Sequence, residues 1–253
     1  MSDPLGHFLG VDVGGSGVKG ADVDVATGAA IGRRRVETPQ PATPDAVADA
    51  IADVIGRFEI PGPIGCTMPA VVLDGVVKSA AHIDPSWIGV DAPELFSAKL
   101  GRPCVVVNDA DAAGVAEARF GAARGEHGLV ALVTIGTGVG TALINHGVLV
   151  ANSELGHIEI EGHVADDWVS DAARSNEELS WKKWSRRFDQ YLTTLHSLVW
   201  PTMIVVGGGV VKHRDRFLEH LDPGCEVRIA ELGNLAGIVG AAALAAVSSA
   251  AKE

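Results

Sequence analysis

The sequence predicts an α/β protein made of two duplicated domains that flank a cleft. Three observations carry this expectation. The chain opens with a strand, a glycine turn and two further strands, not with a strand–helix–strand unit. The same strand, glycine turn and strand return about 120 residues later. Apolar strand runs and helices of 3.6 periodicity follow each copy. No low-complexity linker separates the halves. The boundary is therefore drawn between residues 1–108 and 109–253, with the last helix able to pack back on the first domain.

In order, Phe8 to Val13 is an apolar run that ends in Gly14 and Gly15, and Val18 to Val25 alternates apolar and polar, a strand with one wet face. Ala30 to Glu37 reads as a third strand. Thr43-Pro44-Asp45 starts a helix whose Val47, Ile51, Val54 and Ile55 keep helical spacing. Ile64 to Met68 is a buried strand, and Val71 to Val77 a hairpin around Asp74-Gly75. A short helix ends at Leu100. Pro103 to Val107 is expected to be a fully buried strand, with Asn108 and Asp109 at its C-terminal end and a helix over Asp111 to Phe120. The second half repeats the opening: strand Leu129 to Ile135, turn Gly136-Thr137-Gly138, strands Val139 to Ile144 and Val148 to Val150. A long helix from about Ser180 to Trp200, the strand Met203 to Val206, a glycine turn at Gly207 to Gly209, a helix near Lys212 to His220 and an Ala-rich terminal helix complete it.

Charge and cysteine usage exclude several classes. Lys and Arg number 20 against 32 Asp and Glu, a formal charge of −12, so the global basic field of a nucleic-acid binder is absent. An anionic ligand must be held by a local arrangement. Cys66, Cys104 and Cys225 are scattered, which indicates neither a disulfide framework nor a zinc site. Residues 1–7 lack the basic and apolar regions of a signal peptide, and a cytoplasmic protein is expected. Leu235 to Ala251 is uncharged, but it falls short of the ~20 residues a membrane span needs and is mostly Ala and Gly. A buried helix, with no membrane contact, is the expectation.

Several motifs could carry chemistry. Gly15 to Gly20 matches GxGxxG, yet a strand follows where a dinucleotide fold needs a helix. What remains is a hairpin turn, either plain or one whose backbone amides converge on an anion, with Ser16 and Lys19 beside Gly14, Gly15 and Gly17. Its return at Gly136, Thr137 and Gly138 favours a paired phosphate clamp. Asp12 is either a Mg²⁺ carboxylate or the capping residue of the turn. Asn108 and Asp109 either face a ligand crevice at a strand end or cap the next helix. Glu154 and His157 share one side of a helical turn, with Glu159 beyond. They suit the hydroxyls of a neutral sugar, or form a solvated acidic loop. Lys182, Lys183, Arg186 and Arg187 lie on one side of the long helix and Trp181, Trp184 and Phe188 on another. That face is ordinary amphipathicity or a seat for a long anion, with Lys212 to Arg216 as a second cluster. Arg33 to Arg35 is read as a solvated edge strand.

Taken together, Asp12 to Lys19 (DVGGSGVK), Asn108-Asp109, Thr134 to Gly140 (TIGTGVG), Glu154 to His157 (ELGH) and Val206 to Gly209 (VGGG) resemble the sugar kinases of the ROK family. That family lies within the actin/hexokinase-like superfamily. Residues 80–89 (AAHIDPSWIG), Glu178 to Trp181 (ELSW) and the compact length resemble its polyphosphate glucokinase branch more closely. The resemblance implies an actin-like ATPase (ribonuclease H-like) fold. It also implies phosphoryl transfer to the 6-hydroxyl of glucose from inorganic polyphosphate, ATP or both, with Mg²⁺. Two departures stand out. Ile158 to Ser180 has no cysteine, so the zinc loop of most ROK kinases is expected to be absent. His82 stands where the branch commonly has Asn, which leaves mannose open beside glucose.

Carried over by position, Asp109 is the implied catalytic base. Asn108, Asp109, Glu154, His157 and Glu159 are the implied sugar ligands. Asp12, Gly14 to Gly17, Lys19, Thr137 and Gly138 are assigned to phosphates or metal, and Gly207 and Gly208 to the nucleotide end. Lys182, Lys183, Arg186, Arg187 and Lys212 are the polyphosphate candidates, and a homodimer is implied. A strictly ATP-dependent ROK hexokinase for glucose, mannose or an amino sugar is the alternative. A sugar-sensing regulator is disfavoured, because the first strand begins near Phe8 and Asp109 is present.

Overall fold

A computed structural model describes residues 6–81 and 83–250, so His82 lies outside the described residues. The chain divides into two compact units, Met1–Ala116 with Leu235–Glu253, and Glu117–Asn234. The first unit runs β1 (His7–Val13), β2 (Val18–Asp24), β3 (Ala29–Val36), α1 (Pro44–Ile55), β4 (Ile64–Met68), the small hairpin β5 (Val72–Leu73) and β6 (Val76–Val77), α2 (Ala92–Leu100), β7 (Cys104–Asn108) and the start of α3 (Asp109–Phe120). Its sheet has the order β3-β2-β1-β4-β7. The first three strands form an antiparallel meander, and β4 and β7 add on parallel to β1.

The second unit runs β8 (Leu129–Ile135), β9 (Val139–Asn145), β10 (Val148–Val150), β11 (Glu159–Ile160), β12 (His163–Val164), α4 (Ala165–Val169), α5 (Asp171–Asn176), α6 (Trp181–Val199), β13 (Met203–Gly207) and β14 (Glu226–Ile229). Its main sheet, β10-β9-β8-β13-β14, repeats the first topology strand for strand, antiparallel meander and then two parallel additions. The duplication read from the two glycine turns is thus a duplication of whole sheets.

The chain ends in α7 (Ala236–Ala250), which belongs to the first unit and packs on β1, β4 and β7. Backbone approaches side-chain-free backbone here. A Cβ at Gly10 or Gly65 would overlap the carbonyls of Ile238 or Ala241, and one at Gly240 would overlap Ala112 of α3. This contact explains the uncharged Ala-rich sequence. By length and composition Gly233–Ala250 could cross a membrane, but in this fold nine residues of α7 are buried against the sheet.

In the second unit α6 buries Trp184, Phe188, Tyr191, Leu192 and Leu195 on one stripe. Each such side chain contributes about 1.5–3 kcal/mol on burial, against a few tenths for a surface ion pair on a helix. The aromatic stripe therefore decides how α6 is seated, and its cations follow.

Three expectations change. β7 is an edge strand with a half-buried middle, not a fully buried one, because the sheet ends there. The division between units falls inside α3, not at residue 108, since α3 starts on the first sheet and only its last turn joins the second unit. Residues Gly209–Arg216 and Leu218–His220 are 3-10 turns broken at His213, not one α-helix. The short elements β11, β12, α4, α5 and β14 carry too few residues to show a period in sequence.

Candidate active site

In the first unit the candidate groups gather at the end of the sheet where β1 turns into β2. Asp12 is fixed from two sides: Thr67 Oγ1 donates to its Oδ1 at 2.9 Å, and Lys19 Nζ donates to its Oδ2 at 3.2 Å. The Thr67 hydroxyl in turn accepts from the Val13 amide at 3.1 Å. The turn closes through Gly14 N–H to the Gly17 carbonyl at 3.2 Å, and Thr38 Oγ1 donates to the Gly14 carbonyl at 2.5 Å. None of Gly14, Gly15 and Gly17 has a left-handed backbone. A Cβ at Gly17 would lie 2.5 Å from Nε of Arg35, the far end of a flexible side chain that can shift, whereas Gly15 and Ser16 are exposed.

Asn108 ends β7, in register with Met68 of β4, so it shares the sheet edge that carries Thr67 and Asp12. Its Oδ1 accepts from the amides of Ala110 and Asp111 at 2.9 and 3.1 Å, and its Nδ2 donates to Ala70 O at 3.2 Å. The capping role is therefore present in the structure, and one amide N–H remains for a further partner. Asp109 is the first residue of α3 and is half-buried, with Oδ1 accepting from the Ala110 amide at 2.9 Å.

In the second unit Gly136 N–H bonds the Gly138 carbonyl at 2.9 Å, with Thr137 exposed at the tip. Asp166 of α4 accepts from the Val139 amide at 2.5 Å and so fixes the exit of the turn. Gly207 is in register with Thr134. Gly208 has φ +80°, and a Cβ there would overlap the carbonyl of Ile135. The two glycine turns of this unit are thus neighbours at the ends of adjacent parallel strands. Glu154 and His157 flank a 3-10 turn, 3.4 Å apart between Oε2 and Nδ1, both well exposed. Gly156 between them lies against the carbonyl of Val139, and the Leu155 amide donates to Thr141 Oγ1 at 3.0 Å, so the pair is anchored beside the strand that leaves the second glycine turn. Glu159 lies beyond it on β11, also exposed.

The basic candidates separate. Lys182, Lys183, Arg186 and Lys212 are exposed. Trp181 and His213 pack at 4.8 Å between ring centroids, which joins the start of α6 to the Lys212 segment. Arg187 is committed elsewhere: it makes two bonds to Glu177, at 2.9 and 2.7 Å, and stands 5.4 Å from the Trp168 ring centroid. Sequence periodicity put it with its neighbours, while the tertiary pairing turns it to α5. Arg35 is exposed, as expected of an edge strand, and its Nη2 donates to Ser16 O at 2.6 Å, on the first glycine turn. In the hairpin it stands opposite Lys19.

Comparison with known proteins agrees with this geometry. The model described as ROK family matches residues 8–178, a stretch that includes both hairpin turns. The polyphosphate glucokinase of Mycobacterium tuberculosis is 44% identical over 238 residues, which cover 93% of this chain and 90% of that protein. Among solved structures, the inorganic polyphosphate/ATP-glucomannokinase of Arthrobacter sp. strain KM is 45% identical with a TM-score of 0.90, covering 98% of this chain and 99% of that one. A ROK family glucokinase from Streptomyces griseus, solved with glucose and AMPPNP, is 26% identical with a TM-score of 0.80, covering 94% and 99%. With the duplicated sheets, the two glycine turns and the matched stretch in agreement, the chain has the actin-like ATPase fold and belongs to the ROK family.

Proposed function

We propose that this protein transfers a phosphoryl group from inorganic polyphosphate, with ATP as a second donor, to the 6-hydroxyl of glucose. The observation that carries the reading is the placement of Asp109 at the head of α3, on the same sheet edge as Asp12 and its glycine turn. A carboxylate for the alcohol and a phosphate turn thus stand on one rigid sheet, in a chain similar over 93% of its length to a named polyphosphate glucokinase. Asp109 orients the sugar hydroxyl and accepts its proton. A carboxylate is a weak base for an alcohol, so the proton moves late, as the bond to phosphorus forms. Asn108, Glu154, His157 and Glu159 hydrogen-bond the remaining hydroxyls. The turns at Gly14 to Gly17 and at Thr137-Gly138 receive phosphates, and Gly207 and Gly208 border the nucleotide end when ATP is the donor.

The residues present fit Mg²⁺. Asp12 offers a half-buried carboxylate whose two oxygens are each held by one donor, and Mg²⁺ takes one or two carboxylates and completes its shell with water and substrate phosphate. Bound there with the donor, it supplies charge neutralisation for the transferring phosphoryl group. Lys182, Lys183, Arg186 and Lys212 are assigned to the chain phosphates beyond the one transferred. Mannose as a second sugar, a homodimer and a cytoplasmic location belong to the same reading.

Purified protein incubated with glucose and Mg²⁺, with polyphosphate or ATP supplied separately, tests the proposal. Glucose 6-phosphate is expected from both donors. Product from ATP alone would select the strictly ATP-dependent alternative, and product from neither would remove the reading.

A further inference from the structure

One face of the first sheet carries a row of charges that folding alone does not explain. Asp12 pairs across the strands with Lys19, and Lys19 pairs directly with Arg35. Residues directly opposite in antiparallel strands share a face, and like charges placed so repel. The row thus reads minus, plus, plus. The carboxylate answers Lys19 at 3.2 Å, and among the described residues no carboxylate pairs with Arg35. Both cationic heads flank the glycine turn. Arg35 donates to Ser16 O at 2.6 Å and lies against Gly17, while Lys19 Nζ reaches the side of Gly14. One hydrogen bond to Ser16 leaves most of the five guanidinium N–H groups without a protein acceptor. An anion at the turn would relieve the repulsion and satisfy those donors together.

We propose that Arg35 is a donor-phosphate ligand of the first turn: a guanidinium fork delivered by β3 to the phosphate that the turn receives. This assignment rests on the phosphotransfer reading above. Its chemistry is the charge-assisted, two-point recognition of phosphate oxygens that arginine supplies. Its target is the phosphate chain common to polyphosphate and ATP, so both donors depend on it, unlike the α6 cations.

The test uses tripolyphosphate as probe and the full-length protein. Thermal unfolding is measured with and without tripolyphosphate and Mg²⁺ for the wild type, Arg35→Gln, Arg35→Met and Arg35→Lys, alongside KM for donor and for glucose. The wild type is expected to gain stability with the probe. The two neutral variants should keep less than half of that shift and raise donor KM about tenfold, the scale of a lost hydrogen bond to a charged group, with glucose KM unchanged. Arg35→Lys should lie between them and the wild type. No shift in the wild type, with no phosphate transfer, removes the donor reading and the role of Arg35 with it. A full shift and unchanged donor KM in the neutral variants overturn Arg35 alone. So does an equal rise in both KM values, the mark of a turn that has merely collapsed, or an Arg35→Lys protein no better than Arg35→Gln.

Discussion

Arg187 and Glu177 form a two-point ion pair, at 2.9 and 2.7 Å, between α6 and the residue that closes α5. This pairing divides four cations that look equivalent in sequence. Reversing Lys182, Lys183 and Arg186 together is expected to raise KM for long polyphosphate far more than KM for ATP. It should also flatten the salt dependence of polyphosphate use, because nearby exposed charges act within a screening length of about 8 Å. Reversing Arg187 should instead lower the unfolding temperature and leave the ratio of donor KM values alone. Steady-state kinetics at two salt concentrations decide between these outcomes.

The same pair sets a pH dependence. The Arg187 guanidinium holds the Glu177 carboxyl below its ordinary range. A group depressed in the folded state stabilises above its unfolded pKa, about 4.3 for glutamate, and that stability is lost as pH falls through the folded value. Glu177 is largely exposed, so the contribution is that of a screened surface pair, about 0.2–1 kcal/mol. Glu177→Gln should therefore unfold about 1–3 °C below the wild type at pH 7, and the gap should narrow as pH falls below the unfolded value and close once the carboxyl is protonated in the folded protein. A gap that does not narrow with falling pH would point to packing, not charge.

Asp109→Asn keeps the size of the side chain and removes the carboxylate proposed as the base. The expected result is a fall in kcat of about 10²-fold or more, the scale of general-base loss, with glucose KM changed little. Wild-type turnover in this variant would contradict the assignment.

Gly65 and Gly15 test the difference between a packing glycine and an open one. A Cβ at Gly65 would overlap the Ala241 carbonyl, so Gly65→Ala must push α7 off β4. A cost of about 1–3 kcal/mol or more is expected, as for other overpacked sites. Nothing lies within 4 Å of a Cβ at Gly15, and Gly15→Ala should stay within about 0.5 kcal/mol of the wild type. Chemical denaturation of both variants measures the contrast.

Metal content provides a separate check. Among the described residues no group of three or more His, Cys, Asp or Glu side chains is placed to hold a metal ion. Elemental analysis is expected to find no stoichiometric zinc. Activity should vanish with a chelator and return with Mg²⁺, which binds together with the donor phosphates.

Much of this architecture was legible in the chain because its signals are local. Alternation along Val18 to Val25, the helical spacing of Val47, Ile51, Val54 and Ile55, and the two glycine turns each depend on a few neighbouring residues. The repeat of one local pattern after about 120 residues was enough to announce the duplicated sheets. Asp12, its turn and Asp109 were visible as motifs for the same reason. Tertiary structure alone decided which strand would be the edge and which cations would be neutralised. β7 carries a β-branched run suited to a central position, yet among the described residues no further strand joins it. Arg187 and Arg35 looked like members of basic runs, one on a helix side and one on a solvated strand. Glu177 answers the first, and strand register sets the second beside Lys19 with no carboxylate opposite. A charge in a sequence has no fixed partner until the chain closes. Long-range pairing sets the distances at which charges attract or repel, and a local pattern contains no such distances.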